Sequence, residues 1–132
     1  MPEQSDFGSF LKEKRLARHI TLRRMAELLG VSAPFLSDVE KSRRGPLSVD
    51  KMQAMCSLLA LSDDEQAEMY DLAGRARNMA GQDLQAYIMD HASVALALRT
   101  ARDMQYGEAE WRRIVEDMLK RKDEILSEKK QE

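Results

Sequence analysis

Aromatic side chains are scarce in this chain: three Phe, three Tyr and one Trp among 132 residues. Its core must therefore come from Leu, Ala, Met, Ile and Val. Cysteine is scarcer still. The lone Cys56 excludes an intramolecular disulfide, and its spacing from Met52 and Leu59 assigns it to a core-facing stripe, as a small hydrophobe rather than a reactive thiol. No apolar run reaches the roughly 18 residues of a membrane span, and no signal-peptide pattern is present. Phe7, Phe10 and Leu11 make too short a stretch and are followed at once by charge. These absences describe a soluble, cytoplasmic protein with no membrane partner. Internal repeats and low-complexity tracts are absent as well. So are a phosphate-cradling glycine loop, a paired-histidine metal motif and a nucleophile elbow. His19 and His91 stand isolated, and His91 beside Asp90 is a cap neighbour rather than a catalytic base. The sequence thus argues against an enzyme and specifies no cofactor, no metal and no ligand pocket.

The length fits one domain, or one small domain with an appendage. Net charge is −2, which alone speaks weakly against a nucleic-acid partner. Its distribution does not. Residues 1–45 carry nine Lys/Arg against six Asp/Glu, or +3; residues 46–132 carry twelve against seventeen, or −5. A locally basic face matters more to a phosphate than the sum does.

Residues 21–45 organise the rest. Thr21 is a good N-cap, since its hydroxyl can accept from backbone N–H groups that lack a helical partner. Leu22, Met25, Ala26 and Leu29 then recur with helical spacing. Gly30 tolerates the positive φ that ends a helix. Val31 plugs the angle of the turn, and Ser32 caps a second helix running to about residue 41. Pro34 in its first turn has no intrahelical donor to lose. Phe35, Leu36 and Val39 form a narrow buried face. The opposite face, Ala33, Pro34, Ser37, Asp38 and Lys41, is small or polar. A short helix with small residues at its leading end can enter the major groove of DNA.

At these residues the chain resembles the helix-turn-helix of the lambda-repressor/Cro-like regulators, the XRE family. The likeness rests on Ala26, on the turn Gly30, Val31 and Ser32, on Phe35, Leu36 and Ser37, and on Val39 and Glu40. The basic loop of Lys41, Ser42, Arg43 and Arg44 with Gly45 and Pro46 also fits. It covers roughly residues 7–74. It implies an all-α protein: a five-helix lambda repressor-like DNA-binding domain, here residues 1–79, with a C-terminal helical extension over residues 80–132.

The remaining elements follow from caps and stripes. Residues 1–4 are frayed; Ser5 or Asp6 caps a first helix with Phe7, Phe10 and Leu11 inward and Lys12, Lys14, Arg15 and Arg18 outward. Ser48 introduces a fourth helix striped by Val49, Met52, Cys56 and Leu59. Ser62 and Glu65 form a capping box for a fifth, which ends near Arg77. There Asp63, Asp64 and Glu65 complement the helix N-terminus rather than bind metal. Residues 78–82 are the boundary. Beyond it Asp83 and Asp90 are candidate caps for one or two further helices, with Tyr87, Ile88, Val94 and Leu98 as apolar residues. A last helix runs from Glu108 to about Lys129, with a stripe of Trp111, Ile114, Val115, Met118, Leu119, Lys122, Ile125 and Leu126.

The resemblance implies that the helix beginning at Ser32 reads double-stranded DNA, with Ser32, Ala33, Pro34, Ser37 and Asp38 in the groove. Thr21, Arg23, Lys41, Arg43 and Arg44 lie on the phosphate side; Arg15 and Arg18 are solvated charges. A carboxylate at Asp38 only accepts. It either meets a cytosine N4 donor or orients Arg24 or a loop arginine. The function read from this is a sequence-specific transcriptional regulator, a repressor, acting as a homodimer held through the C-terminal helices. The alternative is the antitoxin of a toxin–antitoxin pair, in which residues 80–132 bind a protein partner. A third reading is an adaptor that uses the module for protein contacts alone.

Overall fold

The computed structural model describes residues 6–131, and every regular element among them is a helix. The expected fraying of residues 1–4 and the alternative cap Ser5 lie outside the described residues. The order is α1 (Phe7–Ala17), α2 (Leu22–Leu29), α3 (Ala33–Glu40), α4 (Val49–Leu58), α5 (Asp63–Ala76), α6 (Gln82–Asp90), α7 (Ala92–Asp103) and α8 (Glu108–Gln131). The protein is all-α with a helix-turn-helix. The chain forms two compact units, divided between Tyr87 and Ile88.

Helices α1 to α5 each begin where a short polar side chain receives free N–H groups. Asp6 Oδ1 accepts from Ser9 N at 2.8 Å, Thr21 Oγ1 from Arg24 N at 3.1 Å, and Ser32 Oγ from Phe35 N at 3.2 Å. Ser62 and Glu65 close a reciprocal capping box, with Glu65 N on Ser62 Oγ at 3.1 Å and Ser62 N on Glu65 Oε1 at 3.0 Å. The core of α1 to α5 joins Phe10, Leu11, Met25, Leu36, Val39, Leu47, Met52, Met55, Leu59 and Met69. In α4 the buried pair is Met52 and Met55, whereas Cys56 is half-buried, and that partial burial raises its thiol pKa. Of the stripe read from sequence, Met52 and Leu59 are buried and Val49 is half-buried; Met55 takes the core position expected of Cys56.

Two arginines expected in solvent are structural. Arg15 lies on the same side of α1 as Phe7 and Leu11 and is buried. Its Nε and Nη2 donate to Glu40 Oε2 and Oε1 at 2.7 and 3.0 Å, and Nη1 donates to Ile20 O at 2.8 Å. Arg18 donates to Leu59 O at 3.0 Å and Ala60 O at 3.3 Å, tying the end of α1 to the α4–α5 turn. Arg15 occupies an inward position of α1, whereas Arg18, the C-cap residue, stays exposed and reaches that turn only through its guanidinium.

Beyond α5, two expected caps are displaced. Asp83 sits inside the first turn of α6, which opens at Gln82. Asp90 closes α6, and His91 is the N-cap of α7 without a side-chain hydrogen bond to that helix's N–H groups. The stretch is therefore two helices, broken at His91, which is extended. In the second unit Tyr106 and Trp111 meet edge to face, their ring centroids 6.2 Å apart, across the α7–α8 turn.

Candidate nucleic-acid interface

Helices α2 and α3 pack together through Met25, Ala26, Leu29, Leu36 and Val39. Their turn is set by Gly30, whose φ of 71° is left-handed. Its N–H donates to Glu27 O and, at the helix cap, to Ala26 O. Val31 half-buries against the core directly afterwards. This leaves the outer surface of α3 open to solvent in part. Ser32 and Pro34 are exposed, and Ala33, Ser37 and Asp38 are half-buried.

The angle of α3 is held from behind. Glu40, its last residue, is buried in the fork of Arg15, which also holds Ile20 O at the start of the turn into α2. At Gly8 the backbones of α1 and α3 come so close that an added Cβ would stand 2.4 Å from Val39 O and 2.6 Å from Glu40 O. Only a residue without Cβ fits that crossing.

The basic loop folds back onto α3. Asp38 O accepts from Arg43 N at 2.8 Å and from Arg44 N at 3.3 Å. Ser42 adopts φ 62° and its hydroxyl donates to Asp6 Oδ2 at 2.6 Å. That bond is the main reason the Asp6 carboxyl titrates below its ordinary range, with the Ser9 N–H adding to it. The Arg44 guanidinium lies over the Phe35 ring, 5.0 Å from its centroid. Phe35 is half-buried: it packs against the core and turns a ring face to that cation. Arg43 Nη1 stands 4.0 Å from Asp38 Oδ1, while Arg24 pairs with Glu27 at 3.2 Å. Asp38 therefore faces a loop arginine, not Arg24.

Of the residues singled out by sequence, Ser32, Ala33, Pro34, Ser37, Asp38, Lys41, Arg43 and Arg44 lie on α3 and the loop that closes it. Thr21 and Arg23 stand at the exposed start of α2. Sequence reasoning missed the pairing of Arg15 with Glu40, the bond from Ser42 to the capping Asp6, and the aromatic face of Phe35. A signal existed for the first: Arg15 is one turn past Leu11, and Glu40 one turn past Leu36. Opposite charges thus occupy two inward stripes.

With this geometry in view, comparison with known proteins is direct. The helix-turn-helix domain family matches residues 6–69. Residues 6–69 thus form a helix-turn-helix domain, which supports the resemblance to the XRE, lambda-repressor/Cro-like regulators. Two uncharacterised HTH-type transcriptional regulators, from two strains of Mycobacterium tuberculosis, are each 41% identical over 55 residues. That segment is 42% of this chain and 39% of either relative, so the chain spans about two fifths of the length of the relatives it matches. Among solved structures, the clp gene regulator ClgR of Corynebacterium glutamicum is 30% identical with a TM-score of 0.43, covering 67% of this chain and 84% of ClgR. A SinR protein/SinI protein complex gives 17% identity and a TM-score of 0.45, covering 89% of this chain and 98% of the other.

Proposed function

We propose that this protein is a sequence-specific DNA-binding transcriptional regulator, acting as a repressor, that places α3 in the major groove of double-stranded DNA. The observation that carries this reading is the state of α3. Its inner side is fixed by Leu36, Val39 and the buried Glu40, while its outer side is small or polar, with Ser32 and Pro34 exposed and Ala33, Ser37 and Asp38 half-exposed. Ser32, Ala33, Pro34, Ser37 and Asp38 are then the residues at base edges. Lys41, Arg43 and Arg44 bind phosphates from one end of α3. At the start of α2, Arg23 and the N-terminus capped by Thr21 bind them from the other. The work is divided between residues 1–79, which bind DNA, and residues 80–132, which hold two copies together so that paired half-sites about one DNA turn apart are read. Such a protein acts in the cytoplasm where its DNA lies; among the described residues no helix is long and apolar enough to cross a membrane.

The test is selection of bound sequences from a random duplex pool, followed by salt titration of the selected duplex. Arg43→Ala/Arg44→Ala weakens selected and random duplexes alike and lowers the salt slope by about two per protomer. Unchanged affinity at low salt would refute the phosphate role.

A further inference from the structure

The connection from α3 to α4 carries Arg43 and Arg44, yet little of it packs on the body of the first unit. Residues 41–45 are exposed and Pro46 is half-buried. A Cβ added at Gly45 would meet nothing within 4 Å. Residues 42–46 form one wall of a cleft of about 380 Å³. Its other walls are Asp6, Phe7 and Gly8 at the start of α1, Val39 of α3 and Ala76 at the end of α5. A segment lying along open space gains little from apolar contact, so hydrogen bonds have to fix its course.

Those bonds come from both sides of the cleft. At one end Ser42 Oγ donates to Oδ2 of Asp6, the N-cap of α1, at 2.6 Å. At the other, Arg77, the C-cap of α5, reaches the loop with its guanidinium. Nη2 donates to Pro46 O at 3.2 Å and to Leu47 O at 2.8 Å. A guanidinium nitrogen carries two N–H groups in one plane, so it can hold two successive carbonyls at once. Between these anchors Arg43 N and Arg44 N donate to Asp38 O. Arg77 is not placed to meet a phosphate itself. Its Nη1 is enclosed by protein and its Nη2 is engaged with the loop.

We propose that Asp6 and Arg77 are positioning residues for DNA binding. They fasten the two ends of the loop, through Ser42 and through the carbonyls of Pro46 and Leu47, and so hold Arg43 and Arg44 ready for the duplex backbone. A loop ordered before binding leaves less freedom to be lost in the complex, and the difference appears as affinity. This deepens the reading of Arg43 and Arg44 as phosphate ligands and rests on it.

The test uses the full chain and a random-sequence duplex at low salt. Arg77→Met and Ser42→Ala are each made alone and in an Arg43→Ala/Arg44→Ala background. In the free protein, either single variant should exchange the Arg43 amide hydrogen about tenfold faster. Affinity for the duplex should fall about threefold to tenfold when the loop arginines are present, and by less than about twofold when they are absent. A side chain that touched DNA itself would cost the same in both backgrounds, and one that only supported the fold would cost nothing in either; both results overturn the proposal. Ser42→Ala removes only an exposed hydroxyl, so it decides the matter even where Arg77→Met does not fold. Unchanged amide exchange in a chain that binds the duplex overturns the positioning role and leaves the DNA-binding reading standing. A parent chain that binds no duplex overturns that reading, and the proposal with it.

Discussion

A guanidinium sealed between helices is tolerated only when its N–H groups find acceptors, and Arg15 meets that condition through Glu40 and Ile20 O. Removing one partner strands the other charge. Arg15→Met should therefore cost about 3–5 kcal/mol in urea denaturation, and Arg15→Met/Glu40→Leu clearly less, because the double change leaves no buried ion. Equal losses for the single and double variants would contradict this. A second residue-scale prediction concerns acid. Lys14, 2.7 Å away, together with the Ser62 N–H holds the Glu65 carboxyl down at about 2, below its ordinary value of 4.5. A depressed carboxyl stabilises the fold above its unfolded pKa and loses that contribution as pH falls. The gap in stability between the parent and Glu65→Gln should be constant above pH 5 and close between about 4.5 and 2. A gap independent of pH would show that ionisation of Glu65 contributes nothing to stability.

At the scale of elements, α3 is useful only if its angle is fixed, and Gly8 fixes it by letting α1 touch the backbone of α3. Gly8→Ala should force the two helices apart, lowering stability by about 1–3 kcal/mol and weakening binding of the selected duplex. Full affinity in that variant would mean that the crossing does not set the angle. Asp38→Asn tests the outer side. The amide donates as well as accepts, so the selected sequence should change; an identical motif would show that Asp38 only steadies Arg43. Much of this arrangement was legible in the sequence, because caps and periodicity are local. Thr21, Ser32, Ser48 and Ser62 each receive the N–H three residues on, as their chemistry dictates. What was hidden depends on contacts between elements far apart in sequence. Arg15 with Glu40, Arg18 with the carbonyl of Leu59 and Ser42 with Asp6 are separated by 25, 41 and 36 residues. Phe35 reads as core because it is aromatic within a helix; it packs there, but one face of the ring also carries Arg44.

For the whole molecule, charge follows organisation. The excess of +3 falls within residues 1–45 and the −5 beyond them. An acidic remainder keeps the overall pI near 5.8 while the loop that closes α3 stays basic. The central claim is that the α3 face, and no other, meets DNA. Amide chemical-shift mapping of the full chain against a selected duplex at low salt tests it most directly. The account predicts shifts concentrated at Thr21, Arg23 and residues 32–44, with α8 unchanged. Shifts confined to α8, or none at all, would contradict it.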